Sequence, residues 1–277
     1  MRLNLGMICG WSEKDFQYLA KKDLHWVEFC INYYNDANAF MAQVPQIKEY
    51  CKKYNVNVGS MGRWGEHIQT EDGKLMEDKL QNHLTLIDAA SQLGCPVYNM
   101  GVNWADGVSE DQNYQFAIDI LNKIVAYGKE RNVKIALYNC SWNCFTYSPK
   151  SWSRIIPAVE GLGIKYDTSH AIGRGSDFMK EMRDWGQYFY HIHLKGSLRI
   201  AGEGYDDPPM GLDQTNWGAF FTMLYTKNYR GMVSLEPHSG YWKGGLGEWG
   251  VDFSLNYAKQ FLMPEEYENI TDDVYMP

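Results

Sequence analysis

The stretch Lys165-Tyr-Asp-Thr-Ser-His170 closes a short apolar run with a carboxylate, Asp167, followed by an imidazole, His170. Two similar endings come later: His193 and Lys195 in His191-Ile-His-Leu-Lys195, and Glu236 in Ser234-Leu-Glu-Pro-His238. Asp167, His193 and Glu236, brought together from the ends of three successive strands, would make an oxygen- and nitrogen-rich set for one divalent cation. A carboxylate-dominated set without thiolate suits Mn²⁺ best, with Mg²⁺, Zn²⁺ and Co²⁺ as the other candidates. Three protein ligands leave positions open for water or substrate oxygens, as a catalytic metal requires. Each residue also has a plainer role: a helix N-cap for Asp167, a satisfied core histidine for His193, a salt-bridged strand end for Glu236. All three plain roles at one place are harder to explain than one metal.

Such convergence needs a scaffold. Apolar or β-branched runs recur at Leu3–Ile8, Trp26–Cys30, Val56–Met61, Pro96–Gly101, Lys134–Asn139, Gly163–Thr168, Phe189–Lys195 and Met232–Pro237. Most are continuously apolar, as parallel strands covered on both faces should be. Between them lie helical patterns. One runs from Lys74 to Leu93, with Leu75, Leu80, Leu84, Ile87 and Ala90 on one face, and another from Asp111 to Arg131. Gly94 directly after Leu93 reads as a helix stop. Eight strand–helix units predict an α/β protein, a single (β/α)8 TIM barrel over residues 1–262, with an acidic, aromatic tail over 263–277 that packs irregularly or meets another subunit. The rival, a doubly wound open sheet, lacks any Gly-x-Gly-x-x-Gly after the first strand.

In a closed barrel the active site lies at the C-terminal ends of the strands. Asp167, His193 and Glu236 fall there, with Glu28, Asn99, Asn103, Asn139, Lys195 and His238. Lys195 follows His193 by two residues, so both side chains leave the same face of the strand. Beside a metal, a buried lysine is expected to have a depressed pKa and to shuttle protons, unless it pairs with Glu236. His170 is placed to hold a substrate hydroxyl. Arg174 and Arg199, in loops behind the sixth and seventh strands, are candidates for orienting a hydroxyl or phosphate. The chain holds 10 Trp and 20 Tyr, and Trp11, Trp64, Trp104, Trp142 and Trp242 lie after strands. Aromatic faces at a wet mouth stack on sugar rings while their polar edges stay available. Trp64, Trp142, His67, Asn139 and His238 therefore join His170 and Arg199 as candidate substrate contacts.

The formal charge of −8 and pI of about 5.4, with Lys and Arg scattered, argue against nucleic acid as a partner. No apolar run approaches the roughly 20 residues a membrane span requires, and no signal peptide is visible at the start. The six cysteines lack zinc-finger spacing and read as buried thiols in a reducing cytoplasm. A cytoplasmic homo-oligomer acting on a small molecule is the expectation.

The sequence resembles the sugar phosphate isomerase/epimerase family, the xylose-isomerase-like barrels that include ketose 3-epimerases, inosose dehydratase and endonuclease IV. The resemblance spans most of the chain. It is carried by Asp167-Thr-Ser-His170, His191-Ile-His-Leu-Lys195, Pro209-Met-Gly-Leu-Asp-Gln-Thr-Asn-Trp217 and Tyr229-Arg-Gly-Met-Val-Ser-Leu-Glu-Pro237, with Leu93-Gly-Cys-Pro96 in the first half. It implies Asp167, His193 and Glu236 as metal ligands, and His170 and Arg199 as holders of substrate oxygens. One departure stands out. The family ends its fifth strand with a glutamate that binds metal and moves a proton, whereas Ile135-Ala-Leu-Tyr-Asn139 places Tyr138 there. Water, Asn139 or His67 would have to compensate, or the metal site is degenerate. The family's aspartate after His-x-Lys is replaced by Gly196, and the nuclease branch's extra histidines are missing around Asp206-Asp-Pro-Pro209.

The expected chemistry is proton abstraction next to a carbonyl of a sugar, polyol or keto-sugar, giving isomerisation or epimerisation. Glu236 is the expected base, and Lys195, His170 or Tyr138 return the proton. The alternatives are a metal-dependent lyase, a dehydratase or C-glycoside-cleaving enzyme using the same enolate, and a non-catalytic sugar-binding barrel.

Overall fold

The computed structural model describes residues 3–264 and residue 267. Seven parallel strands follow one another: β1 (Asn4–Ile8), β2 (Trp26–Cys30), β3 (Asn57–Gly62), β4 (Val97–Met100), β5 (Lys134–Tyr138), β6 (Gly163–Asp167) and β7 (Phe189–Leu194). An antiparallel hairpin, β8 (Leu198–Ile200) and β9 (Glu203–Asp206), then interrupts the alternation. The last strand, β10 (Met232–Leu235), pairs with both β7 and β1 and closes the eight-stranded barrel. The (β/α)8 barrel is as expected; the hairpin over its mouth is not.

Around the barrel run α1 (Glu13–Lys21), α2 (Ala37–Tyr54), α3 (Glu77–Gln92), α4 (Glu110–Lys129), α5 (Pro149–Ile155), α6 (Thr168–Gly173), α7 (Phe178–Trp185), α8 (Trp217–Thr226) and α9 (Gly244–Lys259). Local chemistry sets their ends. Ser109 and Gln112 form a capping box at the start of α4, and Asn55 takes the left-handed conformation that ends α2. The helical pattern read from Lys74 begins only at Glu77. Residues before it form a tight loop in which the Thr70 hydroxyl and the Lys74 backbone bond each other, and Gln69 bridges Leu75.

Two glycines explain how the lower barrel is filled. A Cβ on Gly6 would lie 2.3 Å from Met232 Cε, and one on Gly59 would lie 2.5 Å from Met232 Sδ. Met232 therefore plugs the floor where β1 and β3 lack side chains. Above this plug the inward positions turn polar: Glu28, Ser60, Asn99, Lys165, His191 and Ser234 are all buried. No helix among the described residues is long and apolar enough to cross a membrane. The tail expected over 263–277 lies almost wholly outside the described residues.

Candidate active site

Strand pairing carries the candidate ligands into register. Asp167 at the end of β6 stands beside His193 on β7, and Ser234 on β10 stands beside His193 from the other side, with Glu236 just above it. Asp167 combines two of the roles read from sequence. Its Oδ1 accepts from the Ser169 N–H at 2.8 Å and caps α6. Its buried Oδ2 has no hydrogen-bond partner among the described residues. Four nitrogens surround that oxygen: Lys195 Nζ at 3.4 Å, His170 Nε2 at 3.6 Å, His193 Nδ1 at 3.8 Å and Lys165 Nζ at 3.9 Å. His193 Nδ1 meets Glu236 Oε2 at 2.7 Å.

Donor atoms of Asp167, His193 and Glu236 all lie within 4.8 Å of one another. An orphaned carboxylate oxygen beside an imidazole and a second carboxylate fits a divalent cation. Hard oxygen donors outnumber the single imidazole, and no thiol belongs to the group among the described residues.

A second carboxylate holds this imidazole from behind. Glu28, fully buried on β2, accepts from His193 Nε2 at 2.9 Å and from His191 Nε2 at 2.7 Å. With Nε2 donating to Glu28, His193 presents Nδ1 toward Asp167 and Glu236. This is the carboxylate–histidine arrangement that fixes the tautomer of a metal-binding imidazole.

The electrostatics follow from the crowding. Burial opposes charge on His193, yet Glu28 and Glu236 lift its pKa to about 10. Burial likewise opposes ionisation of Asp167 and Glu236, but Lys195, with His170 beside Asp167 and His193 beside Glu236, holds both well below the carboxylate range. Of the two readings for Lys195, a depressed pKa or pairing with Glu236, the structure has the pairing, at 3.6 Å. Burial lowers its pKa, but Asp167 and Glu236 outweigh that and hold it above its ordinary value, so it stands as an ammonium. In that state it can donate a proton or hydrogen bond but cannot accept one.

His193, Glu236, Lys195 and His170 face a chamber of about 670 Å³ whose wall also includes Trp64, Trp142 and Lys165. That is room for a small organic ligand. A smaller cleft of about 370 Å³ adjoins it, sharing His170, Lys195 and His238 and reaching Arg199 on the hairpin.

The family profile of the xylose isomerase-like TIM barrel matches residues 16–254. The chain belongs to that family. Three solved structures share the barrel. One is a 3-keto-D-glucoside 4-epimerase from E. coli, at TM-score 0.71 and 14% identity over 94% of this chain and 100% of that one. Another is a D-allulose 3-epimerase from Methylomonas sp. bound to D-allulose, at 0.71 and 16% over 94% and 97%. The third is a D-psicose 3-epimerase from Clostridium cellulolyticum H10 with D-tagatose, at 0.73 and 11% over 95% and 100%. At such identities the likeness is one of fold. Comparison with curated proteins returned no significant sequence match.

Within this xylose isomerase-like barrel, several sequence candidates take other positions. Asn139 does not line the chamber; its side-chain amide clamps the Asp167 backbone, donating to the carbonyl at 2.8 Å and accepting from the N–H at 3.0 Å. His67 is exposed and is not part of the chamber wall. Arg174 is spent on Glu181 at 3.2 Å and the Asn139 carbonyl at 3.1 Å. Arg199 reaches back to the Gly202 carbonyl within its own hairpin while lining the smaller cleft. His238 sits between the two cavities with Nδ1 2.8 Å from Asp207, which raises its pKa. Trp142 edges against Tyr33 at the rim, whereas Trp11 packs into the Phe29–Phe40 cluster and Trp104 against Phe145.

Tyr138 cannot stand in for the absent fifth-strand acid. Its ring stacks on Trp64 at 5.6 Å and 18°, its hydroxyl accepts from the Gly65 N–H, and burial pushes its pKa well up. Sequence reasoning placed Glu28 at the mouth without a role and left out Lys165 and His191. Their signal was the period of two, which sets Lys165 on the face of Asp167 and His191 on that of His193.

Two outcomes are expected here. Glu28→Gln should weaken divalent-cation binding by roughly 10–100-fold, read by calorimetric titration of Mn²⁺; unchanged affinity would show that Glu28 does not orient His193. The chelator-treated protein should be most heat-stable near pH 6.5. Above it, the contribution of His193, complete below its ordinary value of 6.5, fades as pH rises through about 10. Below it, His170, lowered to about 4 by burial against the opposing pull of Asp167, and His83, lowered to about 3 by burial and Arg63, must take up protons at the fold's expense. Thermal melts across pH check this, and Mn²⁺ should flatten the alkaline limb.

Proposed function

We propose that this chain is a sugar isomerase or epimerase that moves a proton next to a carbonyl, with Asp167, His193 and Glu236 holding a divalent cation, Mn²⁺ by preference. The observation that carries the reading is the buried Asp167 Oδ2, without a hydrogen-bond partner among the described residues, beside His193 and Glu236, which line a chamber of ligand size. A cation bound there supplies Lewis-acid stabilisation of charge building on the carbonyl oxygen. Glu236, ionised and partly open to the chamber, takes the proton from the adjacent carbon. Lys195, 3.4 Å from Asp167 and 3.6 Å from Glu236, donates a proton or hydrogen bond to the reacting oxygen. His170, neutral because burial lowers its pKa, is free to bond a substrate hydroxyl. Trp64 and Trp142 give the ring an apolar face to rest on. The fold neighbours solved with D-allulose and D-tagatose support a sugar as the ligand.

Tyr138 favours a second reading. With no fifth-strand acid, one carboxylate serves one face of the substrate. That suits isomerisation on one face or β-elimination from the same enolate better than epimerisation by two opposed acids. Turnover of keto-sugar panels in deuterated water, with loaded metal, tests both. Deuterium at the carbon beside the carbonyl supports isomerisation or epimerisation, and an unsaturated product or a released aglycone supports elimination. Sugar binding that survives chelator without either result would make the chain a binding barrel.

A further inference from the structure

Lys165 is a cation that neither the ligand set nor the proton transfer above employs. Its side chain is 1% exposed, on β6 two residues before Asp167, and so on the same inward face. Among the described residues it has no hydrogen bond, and its one ion-pair partner is Asp167 Oδ2 at 3.9 Å, beyond hydrogen-bond reach. Yet it forms part of the wall of the 670 Å³ chamber. With its stem buried and no protein acceptor within hydrogen-bond distance among the described residues, the ammonium is left to donate into the cavity.

Strand register adds a second observation. Tyr138 on β5 is the pairing partner of Lys165 on β6. Where the fifth strand offers an aromatic ring in place of an acid, the neighbouring inward position offers a positive charge. The floor of the chamber is thus more electropositive than the Asp167–His193–Glu236 group alone would make it.

We propose that Lys165 is a substrate-touching residue whose ammonium donates to an oxygen that is anionic in the bound ligand or becomes so during reaction. The class of ligand it favours is a small polyhydroxylated anion or enediolate, over an uncharged polyol of the same length. The assignment deepens the sugar reading above and rests on it. Lys195 contributes charge nearby, but Asp167 at 3.4 Å and Glu236 at 3.6 Å both engage it, whereas Lys165 has the single, longer contact with Asp167 at 3.9 Å. A preformed cation at the cavity wall acts where charge develops, at little cost of reorganisation.

The test is calorimetric, with the four-carbon sugar acid erythronate and the uncharged polyol erythritol as probes. Wild type, Lys165→Met and Lys165→Gln are each titrated after chelator treatment and again with Mn²⁺. Circular dichroism and metal content are recorded for each protein. The chelator-treated wild type should prefer erythronate by at least about tenfold. Both variants should lose that preference while erythritol affinity changes less than about threefold and Mn²⁺ still binds. A preference that survives in either folded variant, or one that vanishes from wild type on chelation, overturns the assignment. If both variants unfold, Lys165 is a structural ion partner and the proposal fails. Wild type that binds both probes equally leaves the sugar reading standing without Lys165. Wild type that binds neither, and exchanges no deuterium into keto-sugars, removes the sugar reading and the assignment with it.

Discussion

Exchange of Glu236 for glutamine should lower kcat by roughly 10³-fold or more, because one substitution removes both a proposed metal-binding oxygen and the proposed base. Glutamine keeps the size of the side chain, so the barrel should persist. The change will also reach its neighbours. Without the Glu236 carboxylate, 2.7 Å from His193 Nδ1 and 3.6 Å from Lys195, the imidazole loses one of the three acids that raise its pKa. The pKa of His193 should therefore fall, which nitrogen-detected NMR of the chelated protein can follow. Mn²⁺ titration of the variant should show weaker binding than wild type. Activity within tenfold of wild type, at normal metal content, would remove Glu236 from the chemistry.

Tyr138→Glu, which restores an acid to the fifth strand, should damage the protein rather than complete its site. The Tyr138 ring and its stacking partner Trp64 fill space that two glycines leave open: a Cβ on Gly101 would come within 2.7 Å of Tyr138, and one on Gly62 within 2.7 Å of Trp64. Removing a buried aromatic costs about 3–5 kcal/mol, and an unpaired buried carboxylate adds to that. A fall of roughly 10 °C in the thermal midpoint is expected for a domain of this size. Tyr138→Phe removes only the hydroxyl that accepts from Gly65 and should cost about 1 kcal/mol. An unshifted melt for Tyr138→Glu, together with more than tenfold tighter Mn²⁺ binding, would mean that the position is an open ligand site after all. That result would favour an epimerase with two acids over the one-carboxylate chemistry proposed here.

The contrast between these two residues shows what a linear reading can reach. Asp167, His193 and Glu236 were legible because each ends an apolar run, and parallel pairing leaves strand ends at one mouth. The period of two then places alternate side chains inside, which holds for Lys195 and, in retrospect, for Lys165 and His191. Asn139 and Arg174 obey the same rule of position but not of role. One clamps the Asp167 backbone and the other pairs with Glu181, partners chosen by loop geometry that no spacing encodes. The hairpin of Leu198–Ile200 and Glu203–Asp206 was hidden too, since two strands of three and four residues carry little periodic signal.

By itself the amino-acid order determined the alternation of strands and helices, the closure it demands, and the residue types gathered at the strand ends. Those are consequences of local patterning and of the need to bury both faces of a parallel sheet. Charge states and partnerships were decided only by tertiary structure. Lys195 is an ammonium because two carboxylates, Asp167 at the end of β6 and Glu236 just after β10, flank it, and His193 is oriented by Glu28, 165 residues away. Electrostatic energy depends on distances of a few ångströms in a medium that excludes water. Such distances between remote segments exist only once the barrel has closed.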